Sequence, residues 1–361
     1  MVKIPVAILG ATGAVGQRLA LILAEHPWFE PVYLGASERS EGRPYGDAAR
    51  WILPDELPAR LAGLRVGSVY PEGAREAGLA GGAFPRLAFS ALDAAAAAPA
   101  EEAWAQAGVL VVSNASVNRM RTDVPLVIPE INPGHLSLLA QQSYPRGGGI
   151  VTNPNCSTIG LAMALKPLHD SFGIEACSVT TLQAASGAGY PGVPSLDILD
   201  NAIPFIGGEE AKLESEPAKI LGSYQGDDKG GSIREAGLSI SAACHRVAVR
   251  DGHLEAVALR CARVVSRDEI LAAWAAFDGG LGALGLPWAP LRPLVYIEAE
   301  DRPQPRLDRE RERGMAVSLG RLRPCPVLGW KFELLSHNTL RGAAGGTVLL
   351  AELCAARGIV A

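Results

Sequence analysis

Through the N-terminal part of the chain, short unbroken apolar runs alternate with longer stretches whose apolar residues recur at helical spacing. Val6-Ala-Ile-Leu9 and residues 31–34, 87–90 and 109–113 read as buried strands, while residues 14–23 and the alanine-rich 93–107 read as helices. Strand and helix in alternation predict a doubly wound parallel sheet. A further strand ends at Val151, and the apolar residues 159–165 after it read as a helix. Beyond it the pattern changes. Residues 175–182 form a strand, 186–194 a loop rich in Ser, Gly and Pro, and 209–220 a helix. Long alternating segments then follow at 239–249, 253–265, 294–300, 315–322 and 327–336, with turns such as Asp251-Gly252 between them, and these predict a mostly antiparallel sheet. An apolar helix at 347–354 is expected to pack back on the first domain, whereas 301–313, rich in charge and proline, reads as an exposed excursion or flexible loop.

The 361 residues are enough for two to three domains of about 150 residues each. Their 48% hydrophobic and 20% charged content is that of an ordinary globular protein with a large core. A net charge of -5 without Lys/Arg clusters argues against nucleic acid and membrane surfaces as partners and leaves small molecules and other subunits. The six cysteines (156, 177, 244, 261, 325 and 354) are scattered, with no CxxC pair and no His at ligand spacing, so neither a disulfide framework nor a metal site is expected. With neither a signal peptide nor an apolar run of about 18 residues, the expected compartment is the cytoplasm.

Two stretches carry chemistry. Gly10-Ala-Thr12-Gly13-Ala14-Val15-Gly16 lies between the first strand and the first helix, the context in which a glycine-rich turn holds a dinucleotide pyrophosphate on the helix N-terminus. It makes the first domain (1–155) Rossmann-like, an α/β fold, followed by an α+β domain (156–337) and the C-terminal helix (338–361). At the end of the second strand, Ser37, Arg39 and Ser40 offer charge and hydroxyls to a ribose 2′-phosphate and favour NADP, against the acids Glu38 and Glu41. The second stretch is Asn153-Pro-Asn155-Cys156-Ser-Thr158. It sets Cys156 at a strand-to-helix turn, where the helix dipole and free N–H groups predict an acidic thiol beside a site for an oxyanion. A buried cysteine near a helix start is the plainer alternative. Arg119 lies in a polar loop at the carboxyl end of a strand, the edge where ligands bind in open α/β sheets.

Together with Arg246-Val-Ala-Val-Arg-Asp-Gly-His253 and the helix 203–220, these motifs resemble the aspartate-semialdehyde dehydrogenase family over nearly the whole chain, most closely its archaeal and fungal branch. The resemblance implies Cys156 as nucleophile and His253 as acid/base. It implies Arg246 for the substrate carboxylate, Glu209 for its amine with Glu210 as a competing neighbour, Arg119 and Lys212 for phosphate, and Asn155, Gln183, Ser186 and Gly187 along the pocket. Asn338 would touch the nicotinamide amide, the cofactor would be NADP(H), and the assembly a homodimer or homotetramer. The implied reaction is the reversible NADPH-dependent reduction of L-aspartyl 4-phosphate to L-aspartate 4-semialdehyde and phosphate through a Cys156 thioester, in biosynthesis of lysine, threonine, methionine and isoleucine. A CoA-thioester reductase such as malonyl-CoA reductase, N-acetyl-glutamyl-phosphate reductase, and a non-catalytic NADP sensor are the alternatives.

Overall fold

The computed structural model describes residues 2–227 and 230–360. The first sheet contains β1 (Ile4–Leu9), β2 (Phe29–Gly35), β3 (Val66–Gly67), β4 (Leu87–Ser90), β5 (Leu110–Ser113) and β6 (Gly149–Thr152), all parallel, in the order β3-β2-β1-β4-β5-β6. The order reverses between β1 and β4, so a crevice opens at their carboxyl ends, where the glycine turn follows β1. Alternate β1 residues feed two layers. Val6 and Ile8 pack with Leu19 and Leu23 of α1 (Ala14–Ala24), and Ala7 and Leu9 pack with Trp104 of α2 (Ala94–Gln106). A Cβ on Gly16 would stand 2.1 Å from the Gly10 carbonyl oxygen, so only glycine lets α1 approach β1 this closely.

β6 leads into α3 (Cys156–Phe172), which lies on the inner face of a second sheet. That sheet contains β7 (Ile174–Ala184), β8 (Ala202–Ile203), β11 (Ser239–Val247), β12 (His253–Cys261), β13 (Leu294–Ile297), β14 (Val317–Cys325) and β15 (Gly329–Ser336); β9 (Ser223–Asp227) and β10 (Gly230–Arg234) form a separate hairpin. Its order is β13-β14-β15-β12-β7-β11-β8. The pairs β14/β15, β15/β12, β12/β7 and β11/β8 are antiparallel, in line with a mostly antiparallel sheet. β7 and β11 are parallel, because the helix α4 (Glu209–Ile220) lies on the connection between them. β12 stops at Cys261 rather than running to 265, because Ser266 caps the helix α5 (Arg267–Ala276) in a capping box with Glu269. Val179, Val257 and Phe332 pack against Leu161 of α3 and Trp274 of α5, and each such side chain contributes about 1.5–3 kcal/mol when fully buried.

The terminal helix α6 (Gly345–Ala356) returns to the first sheet, where Val348 and Leu349 join the layer of Val6 and Ile8. One wide turn, Leu340–Ala344, precedes it, and Arg341 there forms a fully buried pair with Glu130 at 2.6 and 2.8 Å. Residues 301–313 are not a loose excursion. Asp308 is buried and accepts hydrogen bonds from Arg302, Arg311 and the backbone N–H of Gln304, while Arg309 donates to the Asp251 carbonyl at 3.0 Å. The charges that look solvated in sequence are thus an acid and its own arginines folded into a brace behind the turn that carries His253. Among the described residues no helix is long and apolar enough to cross a membrane.

Candidate active site

Asn155 caps α3, its Oδ1 accepting the backbone N–H groups of Ser157 (2.9 Å) and Thr158 (3.3 Å), and this makes Cys156 the first helical residue. The side chain of Asn155 is then oriented so that Nδ2 donates to both oxygens of Glu209, at 3.1 and 2.9 Å. Gly342, in the wide turn, packs on the far side of the nucleophile: a Cβ there would sit 2.7 Å from Cys156 Cβ. Cys156 Sγ lies 3.2 Å from His253 Nε2, and His253, the first residue of β12, is buried. The sequence separation of 97 residues is closed by the second sheet, whose inner face carries β12 under the start of α3.

The expectation of an acidic thiol is corrected. Protein packed around the sulfur pushes the Cys156 thiol up to about 12, with the Glu209 carboxylate adding to the rise and Arg119, Arg246 and Lys212 opposing it. Burial, reinforced by Arg246, lowers His253 to about 3. Burial thus works against charge on both members of the pair.

Charged groups ring this pair. Burial alone would raise Glu209, but the Lys212 ammonium at 2.7 Å and the amides of Asn155 and Gln183 outweigh it and hold the carboxyl below its ordinary value. Arg246 is buried on β11 and donates to the Ala184 carbonyl at 2.8 Å. Arg119 donates to Glu216 at 2.9 Å and to the Asn114 carbonyl at 2.6 Å, with its Nε unpartnered. Cys156, Arg119, Asn155, Gln183, Glu209, Ser186, Gly187, Asn338 and Val15 share the wall of one cleft of about 380 Å³. Lys212, Arg246 and His253 touch residues of that wall: Lys212 meets Glu209, His253 meets Cys156, and Arg246 and His253 both lie against Gly187. A Cβ on Gly187 would press on Arg246 Nη1 at 2.6 Å and on the His253 ring at 3.2 Å, so the glycine leaves these two side chains their present positions. Asn338 spans the cleft edge, accepting from Gly252 N–H and donating to Ser186 Oγ, both at 2.8 Å.

On the nucleotide side, the first turn of α1 begins at Gly13 with no side-chain cap and no acidic residue, so its N–H groups are open to an anion. Gly10, Thr12, Ala14 and Gly16 complete that turn, and Gly10 has the left-handed φ of 79°. Ser37 and Arg39 line a second cavity with Glu38, Glu41 and Ser68. Ser40 does not join them. It is buried in the short turn Glu38–Ser40 and is not among the residues that line that cavity.

Sequence reasoning missed Glu216. Its carboxylate accepts from Arg119 and, at 2.8 Å, from the backbone N–H of Asn155, tying the polar loop after β5 to the nucleophile's own turn. An acid seven residues after Glu209, two turns on along the same helix face, is the signal that could have found it.

The model of the semialdehyde dehydrogenase NAD binding domain matches residues 5–139, and that of the semialdehyde dehydrogenase dimerisation domain matches 165–341. Aspartate-semialdehyde dehydrogenase from Archaeoglobus fulgidus is 48% identical over 96% of this chain and 97% of its own length. The chain belongs to the aspartate-semialdehyde dehydrogenase family. A member from Saccharomyces cerevisiae is 44% identical over 98% of both chains. Among solved structures, the aspartate-semialdehyde dehydrogenase of Candida albicans with NADP superposes with a TM-score of 0.89 at 40% identity, covering 99% of this chain and 100% of that one. The Vibrio cholerae aspartate-semialdehyde dehydrogenase II complexed with ASA gives 0.74 at 27% identity, covering 98% and 99%. The archaeal and fungal members agree with the branch that the motifs resemble, and the family's two-part architecture is the one found here.

Proposed function

We propose that the chain is an NADP-dependent aspartate-semialdehyde dehydrogenase that reduces L-aspartyl 4-phosphate reversibly to L-aspartate 4-semialdehyde and phosphate, in the pathway to lysine, threonine, methionine and isoleucine. The observation that carries this reading is the Cys156–His253 contact of 3.2 Å at the foot of a cleft that also holds Glu209 and Arg119. The uncapped first turn of α1 fits a dinucleotide pyrophosphate, and Ser37 and Arg39 fit a 2′-phosphate. When bound, the nicotinamide supplies hydride.

Cys156 attacks the acyl carbon to give a thioester, His253 serves the sulfur and the substrate oxygen, and Arg246 grips the α-carboxylate. Glu209 and Lys212 neutralise each other in the free protein. An arriving substrate brings an ammonium for Glu209 and a phosphate for Lys212 and Arg119, so both partners of the pair are replaced and no buried charge is left alone. Gln183, Ser186, Gly187, Asn155 and Asn338 shape the surrounding wall. Further parts of the reading are the division at 1–155, 156–337 and 338–361, the cytoplasm as the site of action, and a homodimer or a tetramer built from dimers through the second sheet. The presence of a dimerisation-domain match supports the dimer.

Oxidation of the aldehyde with NADP is expected to require inorganic phosphate or arsenate, and CoA is expected not to replace it. Lys212→Ala should chiefly raise the phosphate requirement, and Glu209→Ala should chiefly impair the amino-acid substrate. Faster reduction of malonyl-CoA than of aspartyl phosphate would instead favour the CoA-thioester reaction. Arg39→Ala should weaken NADPH by roughly 1.5–3 kcal/mol, the range for a hydrogen bond to a charged group, and leave NADH nearly unchanged. Equal losses in a titration with the two cofactors would make Arg39 a structural residue.

A further inference from the structure

Glu209, Lys212, Glu216 and Lys219 are three, four and three residues apart on α4, which puts them along one helix face. The first two meet beside the cleft, and Glu216 holds Arg119 and the backbone of Asn155. Lys219 does not line the cleft. It is buried, and its ammonium donates to the backbone carbonyls of Arg119 and Arg121, both at 2.7 Å, and of Val124 at 2.8 Å. An ammonium has three N–H donors and no acceptor, so one loop uses all of them.

That loop has little else to fix its later half. Residues 114–124 contain no helix or strand, and the backbone bonds that turn Arg119, Arg121 and Val124 are long, at 3.2, 3.3 and 3.4 Å. Its start is fixed separately by Glu101 of α2, which accepts from Ser113 Oγ at 2.5 Å and Asn118 Nδ2 at 2.8 Å. From Arg119 onward the carbonyls converge on Lys219, and they can meet at one point only if the chain curls around it. Burial draws the Lys219 ammonium down to about 8, and the carboxylates of Asp123, Glu235 and Glu216 recover only part of the fall. The charge is thus kept inside the protein against burial, with its hydrogen bonds spent on neutral carbonyls.

We propose that Lys219 is a positioning residue for the phosphate step: it winds the loop 119–124 around its ammonium and so sets Arg119 opposite Lys212, at the separation where the two cations take one phosphate between them. The proposal rests on the preceding reading of Arg119 and Lys212 as phosphate ligands. Two residues one turn apart on α4 then fix both ends of Arg119, Lys219 its backbone and Glu216 its guanidinium. Lys212 stands on the same helix face, one turn before Glu216, so a single helix spaces both halves of the anion site. Lys219 itself meets neither substrate nor cofactor and acts only through Arg119.

The test is steady-state oxidation of L-aspartate 4-semialdehyde by the full-length protein, with Lys219→Met, which keeps the length of the side chain and removes its donors. The KM for phosphate should rise roughly tenfold or more, while the KM values for the aldehyde and NADP stay within about twofold of the parent. In an Arg119→Ala background the same change should raise the phosphate KM little further, because the residue it positions is gone. An unchanged phosphate KM, a parallel loss for all three substrates, or full additivity with Arg119→Ala would overturn the proposal. Lys219→Gln, which keeps two donors, should lie between parent and Lys219→Met, and it replaces Lys219→Met in each comparison if that variant does not fold. Amide hydrogen exchange of the ligand-free proteins gives a second reading. Exchange in residues 119–124 should rise in the variant while that of α3 stays as in the parent, and unchanged exchange in the loop would also overturn the proposal. This measurement is made without substrate, so its failure is separable from failure of the phosphate-dependence assay on the unaltered protein.

Discussion

Cys156→Ser should lower turnover by roughly three orders of magnitude or more while the protein still folds and binds NADP. Oxygen fits where sulfur did, because the substitution adds no volume beside Gly342, whose Cα side is already in tight contact with Cys156. The cap made by Asn155 uses backbone N–H groups of Ser157 and Thr158 and is untouched. What is lost is the nucleophile. A hydroxyl is far less available as the anion at neutral pH than a thiol, and an oxygen ester takes hydride less readily than a thioester. Steady-state rates compared with cofactor titration and circular dichroism check this, and substantial residual turnover in a well-folded variant would remove Cys156 from the covalent step.

Glu216→Ala should be the most damaging change outside the nucleophile. Glu216 is buried, and its two oxygens satisfy the Arg119 guanidinium at 2.9 Å and the Asn155 backbone N–H at 2.8 Å. Removing it strands a cation whose Nε already lacks a partner and frees the residue that sets the start of α3. Breaking a buried ion pair on one side costs about 3–5 kcal/mol, so the thermal midpoint should fall by many degrees. Activity should fall as well, since Arg119 and Cys156 are both positioned through this carboxylate. Glu216→Gln keeps the shape and one acceptor and should lie between. Unfolding curves that coincide for Glu216→Ala and the parent protein would mean that the carboxylate holds neither group.

Features carried by neighbouring residues were legible in the sequence. The alternation of short apolar runs and helices gives the parallel sheet. The glycine turn follows β1 because only glycines allow its φ and its close packing. Asn155 before an apolar helix is readable as a cap, and it places Cys156. The parallel pairing of β7 with β11 was not legible, because the alternation of each strand is the same whichever neighbour it takes. Ser40 looks like a ribose ligand beside Arg39, yet the short turn buries it. Asp308 looks solvated among arginines that in fact fold around it. The thiol is the most instructive case. A helix N-terminus predicts an acidic Cys156, but burial and the nearby Glu209 act in the opposite direction, and both depend on chain segments far away in sequence. Glu216 belongs to the same class, since its partners lie on a loop and a turn from other elements.

The central claim is a thioester on Cys156, and the most direct measurement is to trap it. Protein mixed with L-aspartate 4-semialdehyde and NADP in the absence of phosphate should carry an aspartyl group on the peptide that contains Cys156, seen by mass spectrometry after rapid acid quenching, and added phosphate should discharge it. No adduct under those conditions, or an adduct on any other residue, would contradict the account.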